Sequence, residues 1–453
     1  MTRKHLSLLW RITLLCPLAA THAQTDPVRD YVNAQLQWRL IPGLSMAVAR
    51  GGRIVRTEAF GLANRESGDS VRASTIFQLG SVGKQFTAAA IMLLVQDGRI
   101  KLDDLVSKHI RPTPASWRDI TIRHLLTHTS GLGNYVDAVA DLSRDFSASE
   151  LIELVASQPL LFATGTAYRY SNSGYLLLGL IVEAVSGKPL ADYLSERVFT
   201  PLGMNATGVV GRGAWPVAQA AQGYRLAEGS PVKAAVVSRS LNSTGDGSVY
   251  STLSDLIKWD AALYTDFPLT SASRNAMWQP VRLNDGTPRS YGFGWSIARV
   301  RERRVVEHGG QWQGFAAHIV RYPDDSVTVV VLMNLTGLGN TSGVIANRIA
   351  RYYIPALRAQ AWPRESTTAL DTATLNSYTG NFQLGNSQIR IWREDTRLFI
   401  SATGRGTARL IPASRTEFSI AVEQVRLRFR SQPGRKPDLY VRDGRERLAT
   451  RIR

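Results

Sequence analysis

The chain has 453 residues, 44% of them hydrophobic, which is ordinary for a folded protein and leaves room for two or three domains. The formal net charge is +18, but the 54 lysines and arginines are dispersed and form no DNA- or RNA-binding motif, so we expect no nucleic-acid partner. A contact with anionic cell-envelope polymers stays open, although a biased genome composition explains the many arginines more simply.

Residues 1–23 have the pattern of a secretory signal peptide. Three basic residues come before the apolar run 12–20, and a small-residue cleavage site follows at 21–23. The run is too short to span a bilayer, and no later stretch is long enough. We therefore expect no membrane span and a periplasmic or secreted location. Cys16 is the only cysteine, so cleavage leaves a chain without disulfides or thiolate metal sites.

The apolar periodicity predicts strands at both ends of the first 357 residues and helices between them. The predicted elements are a helix at 27–38, a β-hairpin at 44–50 and 54–60 around Gly51-Gly52, helical runs at 84–97, 119–127, 173–186 and 189–199, strands at 305–307, 315–322 and 326–333, and a helix at 340–355. This order predicts an α/β (α+β) sandwich whose mainly antiparallel sheet is assembled from distant segments.

The chain divides into four predicted segments. After the signal peptide at 1–23 comes a catalytic domain at 27–357, followed by a polar linker at 358–368. Short alternating runs beyond the linker predict a small β-rich domain over 369–453. The sequence of this last domain contains no group of residues typical of a catalytic site.

The tetrad Ser81-Val82-Gly83-Lys84 has the S-x-x-K form of an activated serine. If a helix begins at Ser81, residues i and i+3 share a face, and the Lys84 ammonium lies beside the serine hydroxyl. A serine hydroxyl needs such a neighbouring base to become nucleophilic. The apolar run 85–95 predicts that the helix is buried. The pattern alone is weak, because it recurs at 230–233 and because a serine N-cap followed by a surface lysine is common.

Two other groups of polar residues supply partners for a nucleophile. A positive charge lowers the pKa of a nearby phenol, so Tyr170 beside a lysine is a candidate base. Asn172 provides an amide that orients a substrate carbonyl or a lysine, although a turn before a helix explains it equally well. In His308-Gly309-Gly310, glycines would let a substrate approach a strand edge, where free N–H groups can stabilise an oxyanion.

Two other hydrolase classes fit the sequence poorly. His124 and His128 are four residues apart and could bind a metal from one helix face, but no third ligand accompanies them. We expect these histidines to make structural hydrogen bonds, and we predict neither a metal nor a cofactor. An α/β-hydrolase is disfavoured because the chain has no G-x-S-x-G sequence.

The order S-x-x-K at Ser81, Y-x-N at Tyr170 and H-x-G at His308 resembles the serine β-lactamase and penicillin-binding-protein superfamily, in particular its class C, D-aminopeptidase and esterase branch. The stretches at 124–132 and 245–252, and Tyr-Gly-Phe-Gly-Trp at 291–295, are similar to that branch as well. The resemblance covers about residues 27–357. It implies an antiparallel sheet flanked by terminal helices, with a helical subdomain alongside.

The resemblance also implies roles for individual residues. Ser81 would be the acylated nucleophile and Lys84 its activating partner, while Tyr170 and Lys84 would share the task of general base. Asn172 would bind the carbonyl region of the substrate. The backbone N–H groups of Ser81 and Gln311 would form the oxyanion hole.

The third motif differs from that of many relatives, which have Lys-Thr-Gly where this chain has His308, Gly309 and Gly310. The resemblance implies that these residues contact the substrate. A lysine there is a permanent cation for a substrate carboxylate, whereas histidine, with a reference pKa of ~6.5, is mostly neutral at pH 7. The predicted function is therefore an exported serine hydrolase that acts on a small-molecule or peptide substrate, as an esterase or D-amino-acid peptidase. The alternatives are a β-lactamase or D-Ala-D-Ala carboxypeptidase, and a catalytically silent penicillin-recognising sensor.

Overall fold

The structure is a computed structural model that describes residues 26–210, 219–227, 229–235, 237–360, 370–420, 422–423 and 425–452. The predicted signal peptide at 1–23 and residues 361–368 of the predicted linker lie outside the described residues.

The described ranges contain ten α-helices and 22 strands. The helices are α1 Pro27–Arg39, α2 Lys84–Gln96, α3 Ile122–Leu126, α4 Ala148–Ala156, α5 Asn172–Ser186, α6 Leu190–Leu194, α7 Leu253–Ala262, α8 Ser271–Met277, α9 Thr341–Tyr353 and α10 Thr372–Tyr378. The strands are β1 Gly43–Arg50, β2 Arg53–Gly61, β3 Phe77–Gln78, β4 Gly208–Val209, β5 Tyr224–Ala227, β6 Ser230–Lys233, β7 Val249–Ser251, β8 Val281–Arg282, β9 Pro288–Arg289, β10 Ser296–Val300, β11 Arg303–Trp312, β12 Phe315–Tyr322, β13 Val327–Met333, β14 Leu335–Thr336, β15 Gly380–Leu384, β16 Ser387–Glu394, β17 Arg397–Ala402, β18 Thr407–Pro412, β19 Glu417–Ile420, β20 Arg426–Gln432, β21 Arg435–Arg442 and β22 Glu446–Ile452.

The largest open sheet has six antiparallel strands in the order β10-β11-β12-β13-β1-β2. The predicted hairpin is present as β1 and β2, which turn at Gly51-Gly52. β1 also pairs with β13 from the far end of the domain, with Leu44 opposite Met333. The expectation of a mainly antiparallel sheet built from distant segments is therefore confirmed.

Alternate residues of this sheet enter two separate apolar cores. Ala47 and Val330 face the core that contains α2, α5 and α7. Met46 and Val331, their neighbours in the chain, face the core that contains α1 and α9. Because successive side chains of a strand point to opposite faces, strands covered by helices on both sides must be apolar along their whole length. All seven residues of β13 are indeed buried, and the predicted sandwich architecture is confirmed.

Helix α2 runs through the first core, and every residue from Lys84 to Leu94 is buried. The Gln85 side chain links the start of this helix to two other segments. Its Oε1 accepts a hydrogen bond from Trp259 Nε1 of α7 at 2.6 Å, and its Nε2 donates to the Val82 carbonyl at 2.8 Å. Gln85 therefore holds the turn before α2, which contains Ser81, against a fixed helix.

Strands β15 to β22 close into an eight-stranded antiparallel barrel. Apolar side chains such as Leu427 and Phe429 fill its interior, and closure leaves no unpaired edge strand. Helix α1 holds the barrel to the rest of the protein, because Trp38 packs into the barrel's apolar cluster and Gln35 Nε2 donates to the Val422 carbonyl at 2.9 Å. The predicted C-terminal β-rich fold is therefore a packed barrel.

Among the described residues, no single helix is both long and apolar enough to cross a membrane. The pair formed by Asn172–Ser186 and Leu190–Phe199, bent by 78°, meets that length and composition requirement only when its two helices are taken together.

We predict that the buried ion pair between Arg321 of β12 and Asp260 of α7 is a major support of the sheet. The two side chains are 1% and 0% exposed, and Arg321 Nε donates to Asp260 Oδ1 at 2.6 Å. Arg321→Met leaves a buried, unpaired carboxylate and should reduce the free energy of unfolding by about 3–5 kcal/mol in urea denaturation. The matched control, Arg303→Met, breaks a partly exposed pair with Asp325 and should cost less than about 1 kcal/mol. Equal losses in the two variants would contradict this prediction.

Candidate active site

Ser81 lies in a 3₁₀ turn, Gly80–Gly83, between β3 and α2. The predicted helical run at 84–97 is present as α2, which begins at Lys84, so the condition that a helix begins at Ser81 is met by a 3₁₀ turn and not by an α-helix. The predicted contact is preserved, because a 3₁₀ turn has three residues per turn and places i and i+3 directly above each other. Lys84 Nζ is 3.0 Å from Ser81 Oγ. The second S-x-x-K match, at 230–233, forms the exposed strand β6 and makes no comparable site.

The Lys84 ammonium is fully buried and has three oxygen acceptors. Besides Ser81 Oγ, these are Asn172 Oδ1 at 2.8 Å and the Asp246 carbonyl oxygen at 2.5 Å. Three acceptors match the three N–H groups of a lysine ammonium. Burial lowers the pKa of Lys84 to about 8, although the nearby Asp246 charge acts in the opposite direction. The lysine is thereby a much better proton acceptor near neutral pH than an exposed lysine.

Tyr170 lies beside both members of the S-x-x-K pair. Lys84 Nζ is 5.0 Å from the centroid of its ring, and its phenol lies within hydrogen-bonding range of Ser81. The residue as a whole is 38% exposed, but its ring lies beside the buried Lys84 ammonium and 4.2 Å, centroid to centroid, from the buried ring of His128. Desolvation by burial raises the pKa of Tyr170 well above its ordinary value, while the hydrogen bond with Ser81 lowers it less. Our expectation of a lowered phenol pKa is therefore wrong, because desolvation is the largest effect on this group.

Asn172 is the first residue of α5, and its side-chain oxygen faces the lysine. The backbone N–H of Asn172 donates to Asn134 Oδ1 at 3.2 Å, which fixes the start of the helix. Because the side-chain oxygen accepts from Lys84, the amide Nδ2 is the group left to donate to another partner. Of the two roles considered for this amide, orienting the lysine is the one that this geometry displays.

One edge of β11 faces the Ser81 turn. β10 pairs with β11 only as far as Glu307, whereas β12 pairs with it up to Trp312, so the segment from 308 to 312 has one edge without a strand. A Cβ atom on Gly310 would lie 2.0 Å from the Leu79 carbonyl oxygen and 2.7 Å from the Ser81 nitrogen. The lack of a side chain at Gly310 therefore permits this close approach.

Gly80 fulfils the same requirement from the opposite side. It has a φ of +52°, and a Cβ atom there would lie 2.7 Å from the backbone nitrogen of Gln311. The two glycines bring the backbone nitrogens of Ser81 and Gln311 onto directly facing segments. This is the arrangement that an oxyanion hole built from two backbone N–H groups requires.

His308 is buried at this edge and uses both ring nitrogens. Nδ1 lies 2.6 Å from the Gly309 carbonyl oxygen, and Nε2 lies 2.9 Å from the Tyr291 hydroxyl. Since a carbonyl oxygen only accepts, we assign the ring proton to Nδ1, and Nε2 accepts from the tyrosine. Burial and the Lys84 charge lower the pKa of His308 to about 3. The histidine is therefore neutral at all physiological pH values and offers no cation to a substrate.

The other two histidines considered as metal ligands have structural partners. His124 forms a capping box with Thr121 at the start of α3. His128 Nδ1 accepts from the Ser171 backbone N–H at 3.2 Å, and the ring lies 4.2 Å from that of Tyr170, tilted by 39°. Within the part of the chain that the structure describes, no group of three or more His, Cys, Asp or Glu residues could hold a metal ion.

Sequence reasoning assigned no role to several residues that complete the site. The Asp246 carbonyl holds the lysine, Tyr135 Oη lies 3.3 Å from the Asp246 carboxylate, and Tyr291 positions His308. In the sequence, the stretches around Asp246 and Tyr291 indicate a similarity to a family but assign no role to either residue. A backbone carbonyl has no signature in the residue type, whereas the buried aromatic Tyr291 could have been proposed from its glycine-rich surroundings.

Comparisons with known proteins agree with this geometry. Residues 28–352 match the family model described as Beta-lactamase. Penicillin-binding protein 4* of Bacillus subtilis (strain 168) is 30% identical over 433 residues, or 90% of this chain and 95% of that protein. Esterase EstB of Burkholderia gladioli is 38% identical over 211 residues, which are 42% of this chain and 52% of the esterase.

A solved structure extends the comparison to three dimensions. The D-amino acid amidase from Ochrobactrum anthropi SV3, in complex with L-phenylalanine amide, has a TM-score of 0.57 and 26% identity, and the match covers 68% of this chain and 89% of the amidase. Because the family model spans well over half of the chain and a 30% identical relative matches along nearly its whole length, the protein belongs to the β-lactamase family of serine hydrolases, together with penicillin-binding-protein-like relatives.

Proposed function

We propose that this protein is an exported serine hydrolase that forms an acyl-enzyme at Ser81 with an ester or amide substrate. The observation that carries the proposal is the contact between Ser81 Oγ and a buried lysine whose pKa is lowered to about 8. A neutral lysine amine 3.0 Å from a hydroxyl can accept its proton as the oxygen attacks a carbonyl.

The proposed acylation moves one proton around the site. Lys84 accepts the Ser81 proton while Oγ bonds to the carbonyl carbon, and the backbone N–H groups of Ser81 and Gln311 stabilise the resulting oxyanion. Tyr170, whose raised pKa keeps its phenol protonated, donates a proton to the leaving alcohol or amine as the scissile bond breaks. The Lys84 ammonium then returns its proton to the phenolate. In deacylation, neutral Lys84 accepts a proton from water as the water oxygen bonds to the acyl carbon, and it returns this proton to Ser81 Oγ as the bond between the acyl carbon and Oγ breaks.

The substrate that fits best has no carboxylate that needs a cation at the third motif. His308 is neutral and its Nε2 is occupied by Tyr291. Among the relatives, one is named an esterase and another a D-amino acid amidase, and both names denote enzymes that cleave bonds of the proposed kind. We therefore favour esterase or D-amino-acid peptidase activity on a small molecule or peptide.

Two other functions are alternatives to this proposal. The relative named penicillin-binding protein 4* favours a β-lactamase or D-Ala-D-Ala carboxypeptidase as the second candidate. A catalytically silent penicillin-recognising sensor is the third, but burying a lysine amine next to a serine is costly, and a sensor would have no use for its lowered pKa. Turnover of a panel of p-nitrophenyl esters, nitrocefin and D-amino-acid p-nitroanilides distinguishes the first two candidates, and the absence of turnover together with penicillin labelling would favour the third.

Export rests on the signal-like residues 1–23 and has its own test. We expect the protein expressed in a Gram-negative host to appear in the periplasmic or secreted fraction with a new N-terminus near Gln24. An intact Met1 in the cytoplasmic fraction would argue against export without affecting the proposed chemistry.

The first prediction for the active site concerns the nucleophile. Ser81→Ala should reduce ester kcat by about 10³-fold or more and abolish labelling by a fluorophosphonate or fluorescent penicillin. Ser230→Ala is the matched control, because Ser230 belongs to the other S-x-x-K sequence and is exposed, and this variant should keep full activity and labelling. Labelling that persists in Ser81→Ala would refute the proposed nucleophile.

The second prediction is a pH profile. Because Lys84 must be neutral to accept the proton, kcat/KM should rise about tenfold per pH unit below pH 8 and level off above the lysine pKa, which is about 8. Asp246→Asn removes a charge that raises this pKa, so the rise should shift to lower pH. Asp97→Asn, a surface carboxylate paired with Arg197, should leave the profile unchanged. A profile that is flat between pH 6 and 9 would exclude Lys84 as the titrating base.

The third prediction concerns the motif that begins at His308. His308→Lys would place a cation at the β11 edge, where it can attract a substrate carboxylate, and should raise nitrocefin turnover relative to p-nitrophenyl butyrate by about tenfold in the ratio of kcat/KM values. His308→Gln is the neutral control and should not raise this ratio. An unchanged ratio in His308→Lys would show that the charge at this position does not set substrate preference.

A further inference from the structure

A cavity lies next to the Ser81 site and is separate from it. The chain segment whose Asp246 carbonyl accepts from Lys84 lies between the two. The volume of the cavity is about 190 Å³, and it lies between α4, α5, the start of α6 and the segment 240–245. An apolar cavity of roughly 150 Å³ is large enough to bind benzene. The cavity opens to solvent at its rim, where Ala148 is exposed. Its principal lining residues are Leu151, Leu176, Leu180, Glu183, Leu190 and Thr244.

Two walls of this cavity also carry acceptors of the Lys84 ammonium. Helix α5 contributes Leu176 and Leu180 to the cavity and begins with Asn172, which accepts from Lys84. The segment 240–245 forms another wall and leads directly into Asp246, whose carbonyl is the second acceptor. A ligand that shifts either wall would therefore move an oxygen that holds the catalytic lysine.

The wall is also tied to the lysine's own helix. Thr87, one turn after Lys84, donates from Oγ to the Gly245 carbonyl at 2.6 Å. Gly245 is buried so closely that a Cβ atom there would lie 2.5 Å from the Tyr175 carbonyl oxygen. Tightly packed segments transmit displacement instead of absorbing it, so this contact makes the cavity wall and the lysine helix one mechanical unit.

The chemistry of the lining specifies the kind of ligand. Of the described residues that line the cavity, Glu183 is the only charged one. One of its oxygens, Oε1, accepts the Leu190 backbone N–H at 3.1 Å, and among the described residues no lysine or arginine forms an ion pair with it. The helical walls contribute four leucine side chains, whereas the segment 240–245 contributes the hydroxyl residues Ser240, Ser243 and Thr244. A cavity of this size with a carboxylate and hydroxyls on one side and leucines on the other is complementary to a small cation with an apolar body.

We propose that this cavity binds small aromatic or aliphatic protonated amines, and that their binding changes the rate of turnover at Ser81. The ammonium group donates to Glu183 while the apolar body fills the space between the leucines. Because the cavity and its contacts are separate from the substrate carbonyl site, binding at Glu183 stands apart from the proposed hydrolytic function. Only the change in rate depends on that function.

The binding test uses the full chain and three ligands of matched shape: N,N-dimethylbenzylamine, benzyl alcohol and benzoate. The tertiary amine cannot form a stable amide, so it cannot intercept an acyl-enzyme. In calorimetric titration at pH 7.5, we expect saturable binding of the amine, about tenfold weaker binding of the alcohol, and no binding of benzoate. Binding should survive prior labelling of Ser81 by a fluorophosphonate. Loss of binding after labelling would place the amine in the substrate site and overturn the proposal.

Variants locate the ligand within the molecule. Glu183→Gln should weaken binding of the amine about tenfold and leave binding of the alcohol unchanged. Ala148→Trp, at the exposed rim, should obstruct both ligands, and its thermal unfolding will show whether the fold is intact. Glu153→Gln changes an exposed carboxylate on the same helix as Ala148 and should have no effect. Equal affinity of the amine for the wild-type protein and Glu183→Gln would overturn the assignment.

The kinetic test addresses the link to turnover. Saturating N,N-dimethylbenzylamine should change kcat for a p-nitrophenyl ester at least about twofold with little change in KM, because it acts on the lysine and not on the substrate site. The effect should disappear in Glu183→Gln. An increase in KM alone would indicate competition for the substrate site, and an unchanged kcat at full occupancy would refute the link to turnover.

Discussion

The catalytic arrangement depends on the burial of one amine. Lys84 is the first residue of a helix that is enclosed on all sides, and its Nζ reaches three oxygens from three separate segments of the chain. A buried cation is costly unless its donors are satisfied, so the acceptors on Ser81, Asn172 and Asp246 together stabilise the buried Lys84. The same burial lowers the pKa of the lysine to about 8 and equips it to accept a proton.

The oxyanion-hole part of the site depends on two residues that have no side chain. Gly80 and Gly310 allow the free edge of β11 to lie against the serine turn, and this contact brings the nitrogens of Ser81 and Gln311 to one place. The central sheet holds β11 in register through β12, while Gln85 holds the turn through α7. The nucleophile and the oxyanion donors are thus fixed by the two cores of the sandwich and not by loops, which is the rigidity that electrostatic preorganisation requires.

Much of this could be predicted from the sequence because it depends on local patterns. The hairpin around Gly51-Gly52, the apolar helix after Ser81 and the antiparallel strands near the end of the catalytic domain all follow from periodicity. The helical run predicted at 84–97 matches α2, whereas the turn that contains Ser81 is 3₁₀, which the sequence does not distinguish from an α-helical turn because both give the same i, i+3 pattern. Nothing in the sequence indicated the Asp246 carbonyl as a lysine partner, since every residue type has a carbonyl.

The error at Tyr170 has a physical cause that a sequence does not contain. The position of Tyr170 beside a lysine predicts a lowered phenol pKa, but desolvation is the largest effect on this phenol and raises its pKa. At His308 the two effects act in the same direction, because burial and the Lys84 charge both lower the pKa of the imidazole, to about 3. Proximity in a motif gives the sign of a charge interaction, whereas burial, known only from the fold, decides which effect is larger.

The central claim, that Lys84 is neutral over an appreciable part of the physiological pH range, can be measured without any substrate. In the full-length protein labelled with ¹³C-lysine, the Cε resonance of Lys84, assigned by its disappearance in Lys84→Met, can be followed by NMR from pH 6 to pH 11. The account predicts a midpoint of about 8. A midpoint at the ordinary lysine value of about 10.4 would contradict it, because the serine would then face a permanently charged ammonium.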